Sequence, residues 1–486
     1  MSPFRFDTTY TRLPRLFYAK QHAAAAPEPR LVLLNRALAQ DLGLDFSGMD
    51  DVALAALFSG NAIPAGAEPF AQAYAGHQFG GFSILGDGRA LVLGEHVTPD
   101  GQRVDIQFKG SGPTRFSRSG DGRAALGPML REYVISEAMQ ALGIPTTRSL
   151  AVVATGEAVY RERPLPGAVL TRVAASHLRV GTVQYAAAQG DPALVAELVD
   201  YALERHYPHL KDEANRGLAL LRAVGERQVA LVVEWLRVGF IHGVMNTDNV
   251  TLSGETIDYG PCAFMDAYDP TTVFSSIDHQ GRYAFGNQPR ILLWNLARFA
   301  EALLPSIDAD GERAVELATA LLHELTDAFE AGWLSMMGRK LGLSGSEPDD
   351  RALCDDLLNW MAQMRVDYTN TFRALPVALE LDGPPPGEAF ADPAFGQWHA
   401  RWRARLARQG DGLAVAVEQM RAASPAYIPR NHQVEAALAA GVAGDLAPLQ
   451  RLLEVLADPY SERSGLDDYA QPAVPDGRAY QTFCGT

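Results

Sequence analysis

The sequence predicts an α+β protein of two lobes, a small β-rich lobe carrying one key helix and a large helical lobe, with N- and C-terminal extensions. Three observations carry this. Glycine-punctuated segments with alternating apolar residues occupy 76–128 and strand-like patterns resume in "SLAVVATGEAVYRERPLPGAVLTRVA" at 149–174. A single helical pattern, "PMLREYVISEAMQALG" at 128–143, lies between them. After about residue 185 the apolar positions recur at helical spacing, as in "RILLWNLARFAEALL" and "RAVELATALLHELTDAFEAGWLSMM".

The elements follow in order. Residues 1–75 read as an extension, in which "LVLLNRALAQDLGL" begins a helical preamble. "ALVLGEHV" (90–97) and "RVDIQF" (103–108), joined by the turn "TPDGQ", predict a hairpin. In its second strand Val104, Ile106 and Phe108 point one way and Asp105, Gln107 and Lys109 the other. The helix after it carries Leu130, Val134, Ala138 and Leu142 on one stripe, with Pro128 near its start and Gly143 at its stop. Glu132 and Glu137 on that helix are both able to hold Lys109. Glycine loop, strand lysine, acidic helix and further strands are the order of a protein-kinase small lobe. A kinase-like N-lobe over 76–185 and C-lobe over 186–380 are therefore expected. Beyond them, 381–486 reads as a helical C-terminal extension and tail that opens on the proline-rich loop 382–396.

Composition narrows the function. A formal net charge of -16, from 58 acidic and 42 basic residues, argues against nucleic acid or an anionic membrane as partner, so any anion site must be built locally. Cys262, Cys354 and Cys484 are far apart, which predicts neither a disulfide framework nor a cysteine zinc site. No stretch approaches the roughly 20 apolar residues of a membrane span, and the opening "MSPFRFDTTYTRLPRLF" lacks a signal-peptide core. The expectation is a cytoplasmic protein; the arginines of that opening and its lack of acids before Asp7 resemble a mitochondrial presequence, against which its prolines and short basic content argue.

The chemistry concentrates in two places. "HGVMNTDN" (242–249) and "DYG" (258–260) have the form of a phosphotransfer loop and its metal-binding triplet, but Val244 stands where the catalytic Asp belongs. Asn249 and Asp258 offer hard oxygen ligands for Mg²⁺ or Mn²⁺. Asp248 is the only carboxylate within 242–249 and so the available replacement base, while His242 reads as a loop brace. Upstream, Lys109, Arg115, Arg118, Arg123 and Arg131 face a single acid, Asp121, among interleaved glycines, a composition suited to a polyphosphate. "GDGR" occurs at 86–89 and again at 120–123, and Arg172 and Arg179 in "LTRVAASHLRVG" could grip a phosphate bidentately.

Together with "YAGHQFGG", "FKGSGPTRFSRSGDGRA", "LREYVISEAMQALGIPTTRSLA", "DYGPCAFMDAYDP" and "DHQGRYAFGNQP", these motifs make the chain resemble the selenoprotein O family of protein adenylyltransferases. The resemblance runs in order from about 70 to 290 and continues more weakly through "SPAYIPRNHQVEAAL" and "DPYSER". It implies a kinase-like fold that binds ATP in a flipped orientation and transfers AMP to Ser, Thr or Tyr hydroxyls of other proteins, releasing pyrophosphate. It also implies that Gly86, Gly88, Arg89, Lys109, Asp121, Gly122, Arg172 and Arg179 hold the nucleotide, the last two at its terminal phosphate. Glu132 is then the partner of Lys109, Asn249 and Asp258 bind the metal, Asp258 also belongs to the nucleotide site, and Asp248 accepts the proton. Some relatives are described as using UTP with Mn²⁺ to attach UMP. Some carry selenocysteine near the C-terminus, where this chain has Cys484, with Cys262 as a candidate thiol partner. Two rivals remain on the residues alone: a small-molecule phosphotransferase, which Val244 opposes, and a nucleotide-binding scaffold, which the retained Lys109, Asn249 and Asp258 oppose.

Overall fold

The computed structural model describes residues 3–474 and 480–483. Its small lobe is built on an antiparallel sheet. The strands in chain order are β1 (Tyr18–Lys20), β2 (Arg30–Leu34), β3 (Phe70–Gln72), β4 (Ala75–Gln78), β5 (Gly81–Ile84), β6 (Ala90–Val97), β7 (Arg103–Lys109), β8 (Ala124–Ala125), β9 (Arg148–Tyr160) and β10 (Pro164–Ala174). The main sheet runs β1-β3-β6-β7-β10-β9-β2, with β8 paired to β10, while β4 and β5 form a separate hairpin. Register places Lys109 opposite Ala90 on one side and Leu170 on the other.

The alternation in β7 holds. Ile106 and Phe108 enter a core with Leu54 and Phe58 of α2 (Asp51–Ser59), which follows α1 (Arg36–Asp41). Asp105, Gln107 and Lys109 face the opposite side, where Asp105 meets His177 and Arg205, Gln107 meets Arg172, and Lys109 meets Glu132 of α3 (Leu126–Ala141). The α3 stripe Leu130, Val134, Ala138 and Leu142 is buried in the larger core. One expectation is corrected: "LVLLN" is not helical. Its apolar run forms β2 against β9, and only Arg36–Asp41 is helical, capped by Asn35 Oδ1 accepting from the Leu38 N–H at 3.0 Å. A short apolar run fits strand or helix equally, and here the free edge of β9 decides.

The large lobe contains α4 (Val180–Ala187), α5 (Pro192–His206), α6 (Arg216–Val238), α7 (Gln288–Ile307) and α8 (Gly311–Lys340), with α6, α7 and α8 packed on one another. Helix α6 ends at Gly239, whose φ of 74° turns the chain directly into β11 (Phe240–Ile241). β11 pairs with β12 (Ala263–Phe264), so this two-stranded ribbon clasps both ends of the segment 242–262 that holds the phosphotransfer motifs.

Further helices follow from Asp350 to Ala470. The irregular loop expected over 382–396 stops early, because Pro393 opens a helix and Asp392 Oδ1 caps it at the Ala394 N–H, 3.0 Å away. Arg430, fully buried, bonds Asp266 at 2.6 Å, Asp367 at 2.7 Å and the Ala470 carbonyl at 2.6 Å, tying this region to the segment after β12. Removing it leaves two carboxylates without their cation. Arg430→Ala is expected to lose about 3–5 kcal/mol of stability in a urea titration, the cost of breaking a buried pair from one side.

Candidate functional site

At the inner end of the interlobe cleft, three cations converge on two carboxylates. Lys109 Nζ lies 2.7 Å from Glu132 Oε2 and 2.8 Å from Asp258 Oδ1. Arg172, on β10 beside β7, bonds both Glu132 and Asp258 and donates to Gln107 Oε1 at 3.3 Å. Arg179 Nη1 donates to Asp258 Oδ2 at 3.1 Å and to the Asp248 carbonyl at 2.8 Å. Of the two acids that α3 offered, Glu132 meets the lysine. Glu137 instead binds Arg148 at 2.6 Å, facing away from the cleft. Burial alone would raise the Asp258 carboxyl, yet Arg172, Lys109 and Arg179 hold it well below the usual carboxylate range. Its backbone is left-handed, φ 64°, a conformation Asp tolerates better than bulkier residues.

In front of this cluster opens a cavity of about 730 Å³ lined by Gly86, Gly88, Arg89, Lys109, Asp121, Gly122, Arg172, Arg179, Val244, Asp248, Asn249 and Asp258. The two "GDGR" copies form its rim. A Cβ at Gly86 would strike Phe116, and one at Gly122 would strike the Gly112 carbonyl carbon, so the first loop needs bare backbone to meet the second, and the second to close on its own start. Asp121 is half-exposed and bound by Arg161 Nη1 at 2.8 Å, which makes it a rim residue. Sequence reasoning missed Asp87, inside the first copy. It is buried, accepts from the Gln72 N–H at 2.9 Å, sits 3.8 Å from Arg179, and burial raises its carboxyl. It also missed Tyr74, whose ring lies 4.6 Å from the Arg179 guanidinium.

The loop 242–249 supplies the remaining parts. His242 is buried, its Nε2 is 2.9 Å from the Ile257 carbonyl and its ring stacks on Trp235, consistent with bracing; burial lowers its pKa. Asn249 Nδ2 donates to the Val244 carbonyl at 2.9 Å, an orientation in which Oδ1 is the atom that could ligate a cation. Asp258 accepts three of the roughly four bonds a carboxylate can take. One further oxygen contact from each residue suits a hard divalent ion that draws its other ligands from phosphate and water. Among the described residues no group of three or more His, Cys, Asp or Glu could hold a metal ion by itself.

Asp248 is nearly unsatisfied. Oδ1 has no hydrogen-bond partner and packs where a Gly76 side chain would be, and Oδ2 receives one long bond, 3.4 Å, from Gln78 Nε2. Burial pushes its carboxyl up to about 6, against the lowering effect of Arg179. The β4–β5 hairpin is locked over it by Thr247 Oγ1, which accepts from the His77 N–H at 2.7 Å and donates to Gln184 Oε1 at 2.6 Å. Cys262 is buried, with its thiol pushed up to about 12 by that burial. Cys484 lies outside the described residues. Nearby, Thr482 Oγ1 donates to the Pro261 carbonyl at 2.7 Å.

Residues 2–457 match the family described as "Protein adenylyltransferase SelO". The chain belongs to the SelO family. It is 57% identical over 484 residues, 99% of each chain, to a protein of Alcanivorax borkumensis named "Protein nucleotidyltransferase YdiU". Proteins of the same name from Nitrosococcus oceani and Geobacillus kaustophilus are 56% and 57% identical, each over 99% of this chain and over 97% and 99% of their own length. No helix among the described residues is long and apolar enough to cross a membrane. The SelO-family site makes a direct prediction about its hairpin. Gly76→Ala must displace Asp248 or β4, so it should lower turnover at least tenfold, a loss typical of a misplaced reacting group, while ATP affinity measured by calorimetry stays within about twofold.

Proposed function

We propose that this chain transfers AMP from ATP to a Ser, Thr or Tyr hydroxyl of another protein. The observation that carries the reading is the position of Asp248: a poorly satisfied carboxylate on the cavity wall, in a loop whose usual base position is Val244. The hydroxyl oxygen attacks the α-phosphorus as its proton passes to Asp248. The bond from the α-phosphorus to the bridging oxygen breaks, and pyrophosphate leaves. For this the polyphosphate lies with its terminal groups in the small lobe, where Arg172 and Arg179 stand beyond the lysine an ordinary kinase uses there. Lys109 and the glycine rim, with Arg89, Gly86, Gly88, Asp121 and Gly122 on the cavity wall, hold the rest of the nucleotide.

Asn249 and Asp258 would hold Mg²⁺ or Mn²⁺, which supplies charge neutralisation on the phosphates. Glu132 fixes Lys109 and Arg172, so both cations are preorganised before nucleotide arrives. A purine and a uracil present the same phosphates to this machinery, and UTP is the natural second donor to assay beside ATP.

Two outcomes are expected. Asp248→Asn keeps nucleotide binding and loses about 10²-fold or more of transfer, the scale of a lost general base. Retained transfer in that variant would refute Asp248 as proton acceptor. In the wild type only ionised Asp248 can accept a proton, so the rate should rise with pH through about 6 and level off above it. Initial rates of radiolabelled AMP incorporation across pH, with Asp248→Asn as the flat control, measure this.

A further inference from the structure

Beside the nucleotide cavity lies a second cavity of about 480 Å³, walled by Phe79 at the hairpin tip, the loop 277–282 and the start of α7 at Arg290. It is wired to the phosphotransfer loop. Asn246 Oδ1 accepts from the Phe79 N–H at 3.1 Å and from the Tyr283 hydroxyl at 2.6 Å, and Asn246 also lines the nucleotide cavity, next but one to Asp248.

Two features of this pocket have no use in nucleotide binding. Phe79 is left-handed, φ 49°, a conformation unfavourable for a bulky residue, yet its ring is 40% exposed and held 5.1 Å from the Tyr283 ring. Ile277, on the opposite loop, is 48% exposed. The fold therefore spends strain to present apolar surface to water beside its base. The charge is equally unusual. Arg282 rests between Gly80 and the Trp294 ring, 4.7 Å away, with its Nε buried and unpartnered. Neither Arg282 nor Arg290 has a carboxylate within ion-pair distance among the described residues. Asp278, the one acid on the pocket wall, spends its oxygens on the Arg282 and Tyr283 backbone N–H groups at 2.9 and 2.8 Å. Two arginines with no carboxylate partner among the described residues, in a chain of net charge -16, point to an anionic partner.

We propose that this pocket seats the segment flanking the acceptor hydroxyl of the protein substrate, and that it selects a large apolar side chain accompanied by an acidic one. The inference rests on the transfer reaction proposed above. Phe79 and Ile277 take the apolar side chain, and the guanidinium groups of Arg282 and Arg290 take the carboxylate, a pairing whose planar geometry suits arginine. Because Asn246 lines the nucleotide cavity and holds Phe79 of the pocket wall by a hydrogen bond, a segment docked here presents its hydroxyl to the Asp248 side of the nucleotide.

The test uses the full chain with ATP, divalent metal and three synthetic tyrosine peptides that share a flanking Phe and differ only in carrying Glu, Gln or Lys beside it. The Glu peptide should show a KM about tenfold below the Lys peptide, the scale expected for complementary against like charge at an interface. Arg290→Glu, at an exposed position, should invert that order while ATP affinity and melting temperature stay at wild-type values. Equal KM for the three peptides, with Arg290→Glu without effect, overturns the docking inference and leaves transfer intact. A loss of ATP affinity in Arg290→Glu equal to the loss in peptide use also overturns it, since the arginines would then serve the nucleotide. If the wild type modifies no peptide and no protein, the transfer reading itself fails and the pocket loses its occupant.

Discussion

Everything at this site depends on a buried cluster in which Lys109, Arg172 and Arg179 share Glu132 and Asp258. Its five members come from β7, α3, β10, the segment before α4 and the triplet 258–260, so one electrostatic knot fixes the small lobe against the large one. Buried charges persist only when paired and hydrogen-bonded, and here the carboxylate oxygens of Glu132 and Asp258 hold all three cations in fixed positions. Removing any one member strands the others. The surplus of cations is local, set inside a protein with excess negative charge, so the cleft suits a polyphosphate that the surface as a whole would repel.

The second constraint is the hairpin that covers Asp248. A kinase-type loop normally exposes its base to the acceptor. Here β4 lies on the replacement carboxylate so closely that Gly76 has no room for a side chain, and Thr247, Gln184 and His77 lock the contact. Exclusion of water and a single long hydrogen bond leave the carboxyl a stronger base than an exposed Asp. In the transfer reaction proposed here, Val244 and Asp248 are two halves of one change: the first leaves no proton acceptor in the usual place, and the second offers one where covering strands can tune it.

Much of this was legible in the sequence because the decisive residues sit in local patterns. Strand alternation put Lys109 on the functional face, helical spacing put Glu132 on α3, and the loop motif placed Val244, Asp248 and Asn249 in one segment. Periodicity alone left Glu132 and Glu137 equivalent, and the family resemblance favoured the residue that the structure pairs with Lys109. What the sequence concealed depends on long-range packing. Asp87 looks like turn chemistry within "GDGR" until β3 and Arg179 are brought to it. Tyr74 and Gln78 lie in the segment "YAGHQFGG", but nothing in its pattern places them beside Arg179 and Asp248, and the β2 segment reads as helix because its partner β9 lies more than a hundred residues away. Arg282 and Arg290 have no neighbours in sequence that mark them as a pair.

The most direct test of the account is intact-mass spectrometry of a protein substrate after incubation with this chain, ATP and either Mg²⁺ or Mn²⁺. Attack at the α-phosphorus predicts a gain equal to one AMP with release of pyrophosphate. A gain equal to one phosphate would contradict it, because the terminal phosphate would then be the one that reaches the acceptor and the arginine cluster would not be where that phosphate lies.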